Sequence, residues 1–450
     1  MRSIESCGLV CLLGGIALTS VGVAGCSSSS SANPVDAGHA DGASADGGVA
    51  EGGGDATSPS DAGDATTPEA STGVDAAGLP QKVLVTYGPV PPTNNSELLV
   101  VDVAGKTIDG TLNFGGSFGV PFSQPSAPFL LEQAVSVVAR LDELSPQTVD
   151  STWNVALTDA PDGSTYSDPV TAIVTAPNAA YVVRYTRNEI AVIDPTQTVD
   201  GGAPVATIDL SPLVQPKGDG IVEATAAAYV PSSKLLYVVL GNINRGLVVN
   251  GGANQLCAGT VSSLTAIDTT TNKIVSLQGT APGGAIALKG YDPVAMAYDS
   301  VGGRLLIDHA GCNLDVDGGA GALVNSGIEA VTLSTGATQI LHDGSADGFP
   351  SSFVYIDATH AILGFDFYGA ETVQWDPTQT ALGAGLPNAP DYFVYDGAGN
   401  LLGTLTNSTD GGTTTDVISV SIATDTATTL VSNPFASGGF VGGVDLWPHL

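Results

Sequence analysis

Val170-Thr-Ala-Ile-Val-Thr-Ala-Pro-Asn-Ala-Ala-Tyr181-Val-Val183 holds two apolar runs around a small turn, and Ile190-Ala-Val-Ile-Asp194-Pro-Thr-Gln-Thr198 adds a third run ending in another turn. The runs are short, rich in Val, Ile and Ala, and bounded by Pro, Asn and Asp, the pattern of strands in tight hairpins. An Asp ahead of Pro-Thr suits such a turn, because its carboxylate accepts backbone N–H groups and Pro presets the next φ.

The same unit returns along the chain. A strand, a polar turn and a second strand recur at 224–229 with 235–239, 294–298 with 304–307, 352–356 with 361–365, and 392–395 with 400–404. Each is followed by a further hairpin. Its clearest copies are Leu264-Thr-Ala-Ile-Asp268-Thr-Thr-Thr-Asn272 and Val373-Gln-Trp-Asp376-Pro-Thr-Gln-Thr380, with weaker ones at 331–336 and 418–424. Asp-Pro-Thr-Gln-Thr occurs identically at 194–198 and 376–380. Apart from a possible short helical turn over 129–138, no long stretch carries a helical period, so the domain is expected to be all-β.

Two hairpins per unit make a four-stranded antiparallel blade, and repetition of that blade makes a β-propeller. Counting second units at 98–103 and 151–157 as well gives seven blades. The chain opens at 82–87 on what reads as the second strand of a blade, and 439–447 reads as a first strand. The last segment is therefore expected to complete the first blade and close the ring, leaving no free sheet edge. Six blades, eight blades and a pair of β-sandwiches remain open as alternatives; a membrane barrel is disfavoured because aromatic girdles are absent.

Tyr181-Val-Val and Tyr237-Val-Val, each leading into a strand that ends Ile-Asp-x-Thr, resemble the YVTN repeat propellers of the seven-bladed, lactonase-like superfamily. The resemblance spans about residues 165–425, although the strict Tyr-Val-Thr-Asn tetrapeptide is absent. It implies a propeller, and with it either a binding platform or a hydrolase acting on a small sugar-derived ester in the channel.

The N-terminus predicts an address. Residues 9–23 form an apolar stretch of secretory length, and Val23-Ala24-Gly25-Cys26 followed by a serine run resembles a bacterial lipobox. The resemblance implies a lipoprotein signal peptide at residues 1–25, with Cys26 expected to be the lipid attachment site through which the chain meets the membrane. Because each buried methylene contributes about 0.8 kcal/mol, two or three acyl chains anchor a protein durably. Ser27, where inner-membrane lipoproteins often carry Asp, points to the outer membrane, facing the periplasm or the cell surface. Residues 27–79 contain no Lys, Arg or aromatic residue and are dominated by Asp, Ala, Gly, Ser and Thr. The 26–80 segment is therefore expected to be a disordered acidic linker, with the propeller at 81–450. A coil of that length spans roughly 40 Å root-mean-square.

With 12 Lys+Arg against 45 Asp+Glu the formal net charge is −33. Such a field repels phosphate backbones, which excludes a nucleic-acid partner. Of the five cysteines, Cys7 and Cys11 leave with the leader and Cys26 is lipidated, so Cys257 and Cys312 remain as an even pair in an exported domain. They are expected to form a disulfide. Closing a loop of about 55 residues would stabilise the fold by roughly 3 to 4 kcal/mol.

Three features carry candidate chemistry. Asn313, Asp315 and Asp317 repeat the alternate oxygen ligands of a calcium loop, with Gly318 for the turn, but Val324 stands where the bidentate Glu belongs. Ca²⁺ is thus a candidate ion; no organic cofactor is indicated, and a covalent haem motif is missing. Asp308 and His309 offer a carboxylate beside an imidazole, although neighbours on a strand point to opposite faces. Arg184 and Arg187 stand out among so few basic residues and would suit an anionic ligand if they line a propeller mouth. No nucleophile elbow, zinc-protease helix or phosphate loop occurs, so no catalytic residue is assigned. The expectation is a monomeric lipoprotein with a protein- or ligand-binding propeller. A channel lined by Val, Ala and Gly favours the binder; His309, Arg184 and acids pointing inward would favour the lactonase-like enzyme.

Overall fold

In the computed structural model, seven four-stranded antiparallel sheets follow one another around a ring. The structure describes residues 79–448 apart from the connections at 91–94, 116–118, 125–126, 158–166, 245–259, 315–321, 345–348, 367–370, 410–411 and 436–439. The leader, Cys26 and nearly all of the predicted linker lie outside the described residues, as do Cys257, Asp315 and Asp317.

From the axis outward, blade 1 is Phe440–Trp447, Lys82–Val90, Asn95–Asp102 and Thr107–Phe114; blade 2 is Gly119–Gln124, Ala127–Glu132, Val137–Leu141 and Val149–Asn154. Blade 3 is Pro169–Ala176, Ala179–Arg184, Glu189–Ile193 and Ala206–Asp209; blade 4 is Ala224–Val230, Leu235–Leu240, Ser263–Asp268 and Lys273–Val275. Blade 5 is Pro293–Asp299, Arg304–His309, Gly327–Thr332 and Ala337–Asp343; blade 6 is Phe349–Asp357, His360–Asp366, Thr372–Trp375 and Leu382–Gly385. Blade 7 is Tyr392–Tyr395, Asn400–Thr409, Gly412–Ser421 and Thr426–Val431.

Closure is as the sequence predicts. The last strand pairs with the first, Lys82 opposite Trp447 and Val85 opposite Val444, so the two ends of the chain build one blade. Three details differ. The 129–138 segment is not helical: it is two strands joined by a three-residue 3-10 turn at Gln133–Val135. Residues 151–157 do not open a second hairpin; they complete the outer strand of blade 2 and begin the connection to blade 3. Closing the ring also does not remove every sheet edge, because the outer strands keep theirs. Blade 2 is covered at that edge by 199–202: the Gly202 N–H donates to the Thr152 carbonyl, and the Thr152 and Asn154 N–H groups donate to the Val199 and Gly202 carbonyls. The outer strand of blade 7 begins with four exposed residues, Thr426-Ala-Thr-Thr429, a polar edge that offers little to an aggregating partner.

Strand alternation explains how neighbouring blades cohere. In the second strand of blade 5, Leu305 and Ile307 pack with Ala226, Val239 and Leu264 of blade 4. Leu306 points the other way, to Leu363 and Phe365 of blade 6. Each such aliphatic side chain removed from water contributes about 1.5–3 kcal/mol.

Polar side chains stitch the same seams. Trp447 Nε1 of blade 1 donates to the Glu143 carbonyl of blade 2 at 2.9 Å. The Tyr181 hydroxyl of blade 3 reaches Asn272 and the Thr269 carbonyl in a turn of blade 4. That gives the Tyr of the Tyr-Val-Val repeat a physical role.

The recurrent Asp-x-Thr turns behave as their sequence suggests. In Asp194, Asp268 and Asp376, Oδ1 accepts from the backbone N–H and the hydroxyl of the Thr two residues on, at 2.6–3.0 Å. Asp357 makes the same contacts with Thr359. The Thr359 N–H, helped by His360, holds its carboxyl down at about 2.

Candidate functional site

The two faces of the ring are unequal. First-to-second-strand connections are short, as at 177–178, 231–234 and 300–303, and lie on one face. The five longest connections, 155–168, 210–223, 241–262, 276–292 and 310–326, run from a second to a third strand or from a fourth strand to the next first strand. In an up-and-down antiparallel blade both kinds open on the opposite face. Chain entry is on the short-turn side, since Lys82 pairs with Asp102 and Trp447, the residues at that end of their strands.

Each inner strand pairs on one side only and turns its free edge to the axis. Among the described residues, the seven inner strands contain no His, Lys, Arg, Cys or Glu. They are built mainly from Ala, Val, Gly, Ser, Thr, Pro, Phe and Tyr, with Asp445 in blade 1 and with Asp299 and Asp357 at the short-turn end.

The predicted site residues lie one strand further out. Arg184 ends the second strand of blade 3 and is fully buried. Its guanidinium donates to the Val155 carbonyl at 2.8 Å and meets Glu189 at 3.0 Å, tying the 155–168 connection to its blade. Arg187 is also buried and engaged. Neither stands on an inner strand.

His309 ends the second strand of blade 5 and is fully buried with Asp308. The two point to opposite faces, as alternation requires, and form no pair. The carboxylate that meets His309 is instead Glu329, on the third strand of the same blade, with Oε2 3.2 Å from Nε2. Glu329 also accepts the backbone N–H groups of Lys289 and Gly290 at 2.9 and 3.0 Å. Gly290 is required there: a Cβ would fall 2.3 Å from the His309 ring. Sequence reasoning missed Glu329, although an acid inside the apolar run Gly327-Ile-Glu-Ala-Val331 is itself a signal.

Three carboxyls are pushed up by burial, Glu132 and Asp292 to about 7 and Asp308 well above the usual range. Asp292 precedes the inner strand of blade 5 and is partly open to solvent, yet protein crowds it closely enough for that shift.

Cys312 is buried beside Ile243 at the base of the blade 5 insertion. Asn313 follows in a short strand, and the rest of the proposed calcium loop lies outside the described residues. Among the described residues no group of three or more His, Cys, Asp or Glu side chains is arranged to hold a metal.

Neither a family model nor a curated protein matches the chain. Solved structures do. A protein from Lactobacillus plantarum is similar at 12% identity with a TM-score of 0.51, covering 82% of this chain and 99% of that one. A functionally unknown protein from Desulfotomaculum acetoxidans is similar at 10% identity with a TM-score of 0.50, covering 81% and 98%. At such identities the likeness shows the propeller fold alone.

His309 and Glu329 have the ingredients of an acid–base dyad but no solvent access, so no substrate proton lies within reach. Their contacts hold the 276–292 connection against blade 5. The polar groups described under the long-loop face, Arg184 and Glu329 among them, hold the connections at 155–168 and 276–292 to their blades.

Proposed function

We propose that this chain is a cell-envelope lipoprotein, anchored through Cys26 and a flexible stalk, whose propeller is a platform for binding a protein or small ligand. The observation that carries this reading is the segregation of the longest connections to the face opposite the one where the chain enters at Lys82. The chain thus enters the ring on the face opposite its longest connections. The inner strands, without His, Lys, Arg, Cys or Glu among the described residues, supply few groups for hydrolysis of an ester at the axis. The resemblance to YVTN and lactonase-like propellers is compatible with either role, since such folds host many. The tests are a thermal-shift screen of the full chain against glycans, peptides, divalent cations and sugar lactones, and product analysis of every lactone mixture. Saturable stabilisation without turnover is expected; ring opening of a lactone above the buffer rate would replace the platform with the lactonase-like enzyme.

The same reading pairs Cys257 with Cys312, joining the insertions of blades 4 and 5 on the platform face. Protein recovered from an oxidising compartment should be lighter than its reduced form by two hydrogens, with a cross-linked peptide carrying both residues after digestion. Two alkylatable thiols in the unreduced protein would rule the bond out.

A further inference from the structure

Asp308 lies near the end of the second strand of blade 5, with no exposed surface. Its parity places it with Leu306, on the side facing blade 6. Its cross-strand neighbours are Ala295 and Ile328. Leu306 and Ile328 belong to one apolar cluster with Leu363 and Phe365 of blade 6. Neither carboxyl oxygen makes a well-formed hydrogen bond, the donor acting on it being the backbone N–H of His309.

The titratable groups around it do not compensate. His342 follows Ile328 in the outer strand and turns its ring edge-to-face to Phe365. Asp343 comes next in that strand, Asp366 ends the facing strand of blade 6, and His309 lies on the reverse face with Glu329. No Lys or Arg ion pair to Asp308 occurs among the described residues. An ionised carboxylate here would be a buried charge with no counter-charge and only the His309 backbone N–H to offset its burial, a costly arrangement in a protein interior.

We propose that Asp308 makes the seam between blades 5 and 6 a proton-dependent lock. The neutral acid is sealed in the closed seam, and ionisation requires the seam to part and admit water. The direction of the shift, upward through burial, agrees. A folded-state value raised above the unfolded one, about 3.9, leaves this contribution whole below that pH. It then diminishes as pH rises, by up to tenfold in the folding constant per unit, until the folded-state value is passed.

The test uses the full chain with ¹³C-labelled aspartate. Infrared spectra at pH 7 should show a protonated-carboxyl C=O band that weakens in Asp308→Asn. Denaturation from about pH 4 to 8 should show a shallower loss of stability in that variant, by up to one proton, or tenfold per pH unit. Glu132 and Asp292 add slopes of their own, which the substitution leaves in place. Should the amide not fold, Asp308→Leu, with an apolar side chain of similar size, is expected to flatten the profile in the same way. An unchanged band, or parallel pH profiles for wild type and variant, would overturn the lock.

Discussion

Ending the chain before Phe440 is expected to abolish the folded ring. The lost strand is the inner strand of blade 1, which pairs with Lys82–Val90 along its length. It carries Leu446 and Trp447, both almost fully buried. Removing a buried Trp costs about 3–5 kcal/mol and a buried Leu about 2–5. Together with a newly unpaired inner edge, these losses are comparable to the whole stability of a typical domain, about 5–15 kcal/mol. The truncated chain should therefore accumulate as insoluble or aggregated protein, read by size-exclusion chromatography and far-ultraviolet circular dichroism. Trp447→Ala gives a graded version. It should fold but lose about 3–5 kcal/mol in denaturant titration, since the indole also bonds the Glu143 carbonyl across the first seam. A truncated chain that stays monomeric with an unchanged midpoint would mean that the ends do not close the ring.

Glu329→Ala should be the most damaging single change beneath the long-loop face. It leaves the buried N–H groups of Lys289 and Gly290 without an acceptor and removes the carboxylate facing His309. Leaving a buried donor without its acceptor costs about 1–3 kcal/mol, and two are left here. Glu329→Gln keeps one carbonyl oxygen for the loop and should lose about half as much. The measurement is the denaturation midpoint, with binding of any ligand found in the screen read on the same variants. Loss of stability with affinity retained at low temperature fits a structural anchor. Full stability with loss of turnover on a lactone would make the dyad catalytic.

Much of the ring was legible because its information is local. Alternation, Asp-x-Thr turns and the identical pentapeptides at 194–198 and 376–380 each report on a few residues, and the structure places both pentapeptides after a third strand. The opposed faces of Asp308 and His309 followed from the two-residue period alone. Blade 2 was blurred because Pro121 and Pro128 interrupt its strands, and Phe-Leu-Leu-Glu-Gln-Ala-Val135 spaces its apolar residues as a helix does. Ring closure overrides that local preference by pairing these residues across the sheet. Glu329 was invisible for another reason. Its meaning depends on Lys289 and Gly290, about forty residues earlier, which only the packing of blade 5 against the preceding connection brings to it. Arg184 shows the converse: its scarcity marked it as a ligand contact, whereas its donors are satisfied by Val155 and Glu189 inside the protein.

A propeller hung from a lipid anchor is the central claim, and the intact mass of the mature chain tests it most directly. Full-length protein expressed in a Gram-negative host and extracted with detergent should begin at Cys26 and carry a diacylglyceryl group, with or without a further acyl chain. Cys26→Ser should abolish that mass and release the propeller from the membrane fraction. A mature chain that begins elsewhere, or one that begins at an unmodified Cys26 and fractionates as a soluble protein, would contradict the lipoprotein assignment.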